Sequence, residues 1–286
     1  MIVSKNNEKI KYINSLKDKK YREKYNRYVL EGIKVIDEHT SLAEQDSPEL
    51  IVLCKELLLK AKGGEKIYSL VEKLEKSGKL EWDKNLFEVD RNVFEHISDT
   101  ETPQGILIVL EKKKIDLETL KESVSKEEKF IILDQVSDAG NMGTIIRSAI
   151  AFGVNNIICT KGCVDVYSPK VIRSAMGAIE KVKLYNIDKL DKDVVLKVLE
   201  ENEYVLCGTD LNAKKYLNEI KPNNKLVYVL GNEANGVSDE YKSYCKENIK
   251  IPMEPIQESL NVAIAAAILM YNGYVGGNVD GSKTRN

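Results

Sequence analysis

"FIILDQVSDAGNMGTIIRSAIAF", residues 130–152, is the stretch whose reading decides the fold. Phe130–Leu133 is a short apolar run that reads as a strand. A loop rich in Asp, Ser, Gly and Asn follows, and Met142–Phe152 carries the apolar spacing of a helix. The alternation continues along the chain. Strands are expected at Asn156–Cys159, Lys181–Leu184, Tyr204–Cys207, Val227–Leu230 and Asn248–Ile251. Helices are expected at Pro169–Met176, Asp193–Glu201 and Asp239–Cys245. Alternating strands and helices imply a parallel sheet with helices on both faces. Ligands of such sheets sit beyond the carboxyl ends of the strands. The residues to read are therefore the tails "DQVSDAGNMG", "GTDL", "GNEANG" and "PMEPIQESLN", which follow Leu133, Cys207, Leu230 and Ile251.

The last of these tails raises a question of its own. In "IPMEPIQESLNVAIAAAILMY", residues 251–271, a polar, proline-bent loop runs straight into an apolar helix. The apolar run Val262–Tyr271 is half the roughly 20 residues that a membrane span needs, so it reads as a core helix.

Upstream lies a second α/β block. Leu50–Cys54 looks like a strand and Lys66–Ser77 like a helix. Asn92–Ile97 leads through "SDTETPQG" to a strand at Ile106–Leu110, with proline and glycine marking the turn. Residues 111–128 are charged and poor in apolar side chains, which fits a linker or an exposed helix. The expected organisation is an N-terminal domain at 1–110, a linker at 111–128 and a C-terminal domain at 129–286.

A chain of 286 residues with 43% apolar and 31% charged side chains suits two soluble globular domains. Residues 1–30 lack the apolar core of a signal peptide. The five cysteines are scattered, none in CxxC spacing, and His39 and His96 are distant from most of them, so no metal site is expected. Free thiols suit a reducing cytoplasm. The net charge of −2 argues weakly against a nucleic-acid partner, but residues 1–30 hold nine Lys/Arg against three acids, interleaved with Tyr12, Tyr21, Tyr25 and Tyr28. Such a segment either contacts phosphates and bases or forms a solvated amphipathic helix; the sequence leaves both open.

The chain has neither a GxxxxGK[ST] phosphate loop nor a GxGxxG fingerprint, and neither histidine is near a strand end of the second block. What remains is a polar set of Asn, Arg, Glu and Ser. It suits chemistry in which an activated cofactor is oriented by the protein. Singly these residues say little: Asn141 and Ser259 read as helix caps, Arg147 as a surface or salt-bridged residue and Glu233 as a solvated turn residue. From the residues alone the reading stops at an α/β enzyme or binding protein with a site at the carboxyl edge of its sheet.

Together they resemble something specific. "DAGNMGTIIRSAIAFGV" (138–154), "VLGNEANGVSDE" (229–240) and "IPMEPIQESLNVAIAAAI" (251–268) are similar to the three ordered motifs of the SpoU (TrmH-like) family of RNA 2′-O-ribose methyltransferases, in the SPOUT superfamily. "YSPKVIRSAMGAI" (167–179) fits the same family. "YVLEGIKVIDE" (28–38) and "SDTETPQGILIV" (98–109) resemble its ribosomal-protein-like N-terminal substrate-binding domain. The resemblance implies a knotted (trefoil) parallel-sheet C-terminal domain, and it answers the question of the bent loop. That loop would form a wall of an S-adenosyl-L-methionine pocket, with the apolar helix buried in the knot and at a homodimer interface. The cofactor would lie against Gly231, Ile251 and Leu260, with Thr209, Asn232 and Asn261 nearby. Asn141, Arg147, Glu233, Ser259 and Asn261 match the family's active-site positions. The implied reaction is attack of a ribose 2′-hydroxyl on the sulfonium methyl group. A guanidinium is a poor base, so Arg147 is read as a clamp on the substrate phosphate or hydroxyl, Asn141 as fixing its pose, and Glu233 and Ser259 as orienting Arg147 and the substrate. Ala139 and Pro255 depart from the family pattern, which has proline and glycine there. The resemblance favours ribosomal RNA over transfer RNA. A base-methylating enzyme and a non-catalytic RNA-binding protein of the same fold are the competing readings.

Overall fold

In the computed structural model, residues 1–38, 48–221, 223–254, 256 and 258–277 are described. They fall into two compact units, one of residues 1–113 with 165–177 and one of 114–164 with 178 onward.

The first unit is built on a four-stranded mixed sheet. Its strands are β1 (Arg27–Glu31), β2 (Leu50–Leu53), β3 (Leu86–Glu88) and β4 (Ile106–Glu111), in the order β1-β4-β2-β3. Of its neighbouring pairs, β2–β3 is parallel, and β1–β4 and β4–β2 are antiparallel. Around it lie α1 (Glu8–Ser15), α2 (Lys19–Tyr25), α3 (Ile33–Asp37), α4 (Lys55–Lys60), α5 (Gly64–Lys76) and α6 (Arg91–Ile97). The expected strand at 50–54 and helix at 66–77 are present, whereas β1 and β3 are additional. Ile10, Ile13, Val52, Phe94 and Leu107 belong to one buried core, which is why α1 and α6 close over this sheet.

The two N-terminal stretches singled out in the sequence meet here. Glu31 accepts hydrogen bonds from Ser98 Oγ (2.5 Å), Thr100 Oγ1 (2.9 Å) and the Asp99 amide (2.8 Å), and the Ile33 amide donates to Gln104 Oε1 at 2.8 Å. Gly105 closes the turn before β4. Its φ is +77°, and a Cβ there would stand 2.4 Å from the Leu58 nitrogen and 2.5 Å from the Cys54 oxygen. Conformation and space both demand glycine. Residues 165–177 are tied into this unit by Arg22, which is only 3% exposed. Its guanidinium donates to Asp165 Oδ2 (2.6 and 3.0 Å) and to the carbonyls of Leu16 and Lys17. Tyr28 packs on Tyr167 at 4.8 Å, and Arg173 pairs with Asp99.

The second unit begins within the charged stretch. There α7 (Leu117–Ser125) forms, capped by Asp116, and its Leu120 and Val124 are buried in the core. The stretch is thus helical with one apolar side turned inward; two apolar residues four apart are enough for that and too few to announce it. The sheet has seven strands, all parallel: β5 (Phe130–Leu133), β6 (Asn156–Cys159), β7 (Lys183–Asn186), β8 (Val205–Thr209), β9 (Lys215–Tyr216), β10 (Leu226–Leu230) and β11 (Glu247–Lys250), in the order β7-β6-β5-β10-β8-β11-β9. All of the expected strands appear within two residues. The expected strand at 181–184 begins two residues later because Met176–Lys181 is a 3₁₀ helix. The two-residue edge strand β9 was not foreseen. The helices are α8 (Ala139–Ala151), α9 (Pro169–Ala175, in the first unit), α10 (Lys192–Glu201), α11 (Asp239–Lys242) and α12 (Val262–Gly277). Between β5 and β10 the strand order reverses direction, which is where such sheets open a crevice.

Helix α12 packs along α8, burying Ala263, Ala266, Leu269 and Met270. It is apolar on its other side too: Ile264 is 54% and Tyr271 55% exposed, with Val275 also in the open. Ala139 is the first residue of α8 and is buried. Pro255 lies outside the described residues, as does His39. Among the described residues no helix is long and apolar enough to cross a membrane, and no group of three metal-ligating side chains is present.

Candidate functional site

The carboxyl ends of β8, β10 and β11 and the start of α12 enclose a cavity of about 470 Å³. That is within the range of roughly 300–1,000 Å³ usual for small-molecule sites. Thr209, Gly231, Asn232, Ile251, Leu260 and Asn261, the six expected cofactor contacts, all line it. So do Glu233 and Ser259. Among the walls missed by the sequence reading are Asp210, Leu230, Val262, Ala265 and Leu269. Asp210 stood in the quoted tail "GTDL" and was readable there; the apolar walls look like any core residue.

Local geometry explains the cavity's shape. Gly231 follows β10 directly, and a Cβ on it would lie 1.9–2.1 Å from the backbone of Gly236 and Val237. The loop after β10 therefore folds back on its own start. Asn232 holds it: its backbone exchanges two 2.9 Å hydrogen bonds with Gly236, and its Oδ1 accepts from the amides of Ala234 and Asn235. Its Nδ2 donates to the Gln135 carbonyl at 2.9 Å, tying this loop to the one after β5. A second tie is Asp134, buried, which accepts from the Ser238 amide at 2.7 Å and from Thr160 Oγ1 at 2.9 Å. The Asn232 side chain thus shapes the loop. Thr209 Oγ1 likewise donates to the Val229 carbonyl at 3.1 Å.

Beside the cavity, three expected active-site residues form one directed chain. Asn261 Nδ2 donates to Asn141 Oδ1 at 2.9 Å, and Asn141 Nδ2 donates to Glu233 Oε1 at 3.0 Å. A carboxylate only accepts, so Glu233 fixes which end of the Asn141 amide faces it, and that in turn fixes Asn261. Asn261 Oδ1 accepts from the amides of Ala263 (2.9 Å) and Ile264 (3.4 Å), so it caps α12. Two single-residue readings are corrected here. The cap of α12 is Asn261, with Ser259 two residues ahead of it. The cap of α8 is Asp138, which accepts from the Asn141 amide at 2.8 Å. Asn141 sits inside the first turn, and its side chain is left for the relay.

Glu233 is held below the usual carboxylate range. Burial pushes it up, but hydrogen bonds from the Asn141 side chain and from the backbone around Asp138 and Ser137 outweigh that. It stays charged near neutrality, as an anchor. Asp210 is also lowered, chiefly by the Asn212 amide against some burial, and pairs with Lys242 at 3.2 Å. Arg147 is different. It is exposed on α8, lines no part of the cavity, and has no hydrogen bond or ion pair among the described residues. The fold gathers Asn141, Glu233, Ser259 and Asn261 at one place and leaves Arg147 outside that group.

A family model described as the SpoU rRNA Methylase family matches residues 128–271, and one described as an MRM3-like substrate binding domain matches residues 7–108. A 23S rRNA (guanosine(2553)-2′-O)-methyltransferase of Bacillus subtilis is 29% identical over 273 residues, covering 95% of this chain and 98% of that protein. The mitochondrial rRNA methyltransferase 3A of Danio rerio is 29% identical over 299 residues, covering 88% of this chain and 65% of its own length. Among solved structures, a TrmH-family protein from Porphyromonas gingivalis superposes with a TM-score of 0.74 at 28% identity, covering 96% of this chain and 98% of that one. An S-adenosylmethionine-bound rRNA methyltransferase from Sinorhizobium meliloti has the same fold, with a TM-score of 0.78 at 23% identity over 95% of this chain and 96% of that one.

Proposed function

The chain belongs to the SpoU rRNA methylase family, and from that premise we propose that it transfers the methyl group of S-adenosyl-L-methionine to a ribose 2′-hydroxyl of ribosomal RNA. The cavity supports the cofactor assignment by its chemistry. It combines apolar walls from Leu230, Val262 and Leu269 with backbone at Gly231 and Leu260, as a nucleoside and an aliphatic chain require. The cofactor's sulfonium supplies an already electrophilic methyl group, so the protein's task is alignment and electrostatics.

The residues divide that task. Gly231, Ile251 and Leu260 offer backbone donors and acceptors to the base, and Thr209 and Asn232 keep the loops in register. The anionic Glu233 holds Asn141, and Asn141 holds Asn261. This chain keeps an amide pair at a defined angle beside the cavity, where a ribose would be oriented. With its lowered pKa, Glu233 is a weak proton acceptor, so its role is to orient. The single observation that carries the reading is this relay against the cavity. Mapping 2′-O-methyl groups in ribosomal RNA from cells with and without the gene tests it; one nucleotide losing its methyl group is the expected result. A missing methyl group in transfer RNA instead would move the assignment there, and no missing group in any RNA would favour the non-catalytic reading.

Asn261→Ala removes the cap of α12 and one end of the relay. A lost cap costs about 1 kcal/mol, which lowers the midpoint of thermal unfolding by roughly 2–4 °C. Cofactor affinity and methyl transfer should both fall, as read by calorimetric titration and single-turnover assay. A drop in stability with both functions intact would reduce Asn261 to a cap.

The same proposal includes assembly. Ile264, Tyr271 and Val275 leave an apolar stripe on α12, and a two-fold homodimer through the C-terminal unit would cover it. Ile264→Glu should convert dimer to monomer by sedimentation at micromolar concentration. A wild-type monomer under those conditions would remove the homodimer from the proposal. All five thiols are free, as a reducing cytoplasm keeps them, and we assign the protein to that compartment.

A further inference from the structure

The nine cations of residues 1–30 are not equivalent once folded. Lys9 lies 3.7 Å above the Phe87 ring and donates to the Asp83 carbonyl. Lys11 pairs with Glu8 at 3.1 Å. Lys17 donates to the carbonyls of His96 and Ser98, and burial pushes its pKa down. Arg22 is buried on Asp165, and Arg27 pairs with Glu49 and Glu111. Lys17 and Arg22 are therefore engaged within the fold. Of these nine, only Lys5, Lys19, Lys20 and Lys24 keep a charged group without a hydrogen bond or ion pair among the described residues. Three of these four are on α2.

That helix also carries the aromatic half of a surface. Tyr21 and Tyr25, one turn apart, have ring centroids 6.3 Å apart and planes only 14° from parallel. Tyr12 braces Tyr25 edge-on at 5.1 Å, and Tyr25 remains 38% exposed. Lys20 stands 5.7 Å over the Tyr21 ring and Lys24 5.0 Å over the Tyr25 ring. The acid in the middle of the helix, Glu23, is turned to Lys112 at 2.8 Å. Charge is thus sorted, with compensated groups directed into the unit and uncompensated lysines beside two flat rings.

We propose that Lys19, Lys20, Lys24, Tyr21 and Tyr25 of α2 form a platform for an unpaired segment of the RNA substrate. Lysines neutralise phosphates and tyrosine rings stack on bases that are free of a partner; bases in a duplex do not offer their faces. This inference rests on the reading of the chain as an RNA-modifying enzyme. It goes further in naming the surface and the single-stranded character of what binds there.

The test uses the full-length protein, a fluorescein-labelled twelve-nucleotide single-stranded RNA of mixed sequence, and the same RNA annealed to its complement. Wild type should prefer the single strand. Tyr21→Leu/Tyr25→Leu should lose about tenfold in affinity for it, with the salt dependence kept and S-adenosylmethionine binding unchanged. Lys19→Gln/Lys20→Gln/Lys24→Gln should flatten the slope of log affinity against log salt by about 2, at roughly 0.7 per lost phosphate contact. The lysine set replaces exposed residues, so it reports even if the tyrosine variant folds poorly. Wild-type affinity and slope in the lysine set would overturn the platform, as would equal binding of single strand and duplex. Tight binding of poly-glutamate, with RNA affinity untouched by the tyrosine changes, would also overturn it and point to an acidic protein partner. Methyl transfer to ribosomal RNA separates the two levels. A wild type that transfers no methyl group but binds the single strand through α2 defeats the enzyme reading and keeps the platform. Normal transfer with α2 variants that bind like wild type does the reverse.

Discussion

Arg147→Ala is expected to leave cofactor affinity within about twofold of wild type while methyl transfer falls about a hundredfold or more, the scale of a lost group that acts in the transition state. The first half follows from position. Arg147 lies on α8, exposed, and contributes nothing to the wall of the cavity, so no contact with the base or the aliphatic chain of the cofactor is removed. Exposure also means that its loss leaves no cavity and no unpaired buried partner, and the fold should be unmoved. The second half follows from the proposed reaction. A phosphate or a hydroxyl losing its proton needs a fixed positive charge, and Arg147 has no carboxylate among the described residues to absorb its own. Arg147→Lys keeps the charge but not the planar fork, and should recover only part of the rate. Calorimetric titration of cofactor against single-turnover transfer separates the halves. Wild-type transfer by the alanine variant would discard the clamp.

How much of this was readable beforehand depends on what kind of signal each feature leaves. The strands of the second unit were visible because parallel strands buried on both faces are plain apolar runs; Phe130–Leu133 and Val227–Leu230 stand out without context. The site residues were findable through motifs in order, not through their own chemistry. Taken alone, Asn141 and Ser259 looked like caps, and the structure moves that duty to Asp138 and Asn261. Capping depends on which residue turns away from the helix, and a string of Ser, Asp and Asn does not disclose it. Nor could the charge of residues 1–30 be apportioned in advance. Arg22 and Lys20 are two residues apart, yet one is bound to Asp165, 143 positions away, and the other has no ion pair among the described residues and lies over its neighbour Tyr21. Likewise the segment 165–177, whose expected helix forms at Pro169–Ala175, sits among second-unit elements in the sequence but folds with the first unit. Partners distant in sequence decide these outcomes.

Gly231→Ala should be the most damaging small change in the second unit, and the reason is space alone. The added Cβ would lie 1.9 Å from the Gly236 carbonyl carbon and 2.0 Å from the Val237 nitrogen. Both are backbone atoms, and neither can turn aside as a side chain would. The returning limb is also held from behind: Asn232 and Gly236 exchange two hydrogen bonds, Val237 is buried, and the Ser238 amide is fixed on buried Asp134. Relief requires the loop to open, which displaces Glu233 and with it the Asn141 relay. Overpacking a side-chain core costs about 1–3 kcal/mol, and a clash with fixed backbone belongs at or above the upper end, which amounts to about a hundredfold or more in cofactor affinity. Gly236 provides the contrast within the same loop. Its φ is +68° and a Cβ there meets nothing within 4 Å. Gly236→Asn, with a residue that tolerates the left-handed region, should therefore bind cofactor within a few-fold of wild type. Titration calorimetry on both variants, with thermal unfolding alongside, makes the comparison. If Gly231→Ala bound as tightly as wild type, the folded-back loop would not be the wall that shapes the cavity. If Gly236→Asn failed as badly, the left-handed turn rather than the close approach at Gly231 would be the feature on which the site depends.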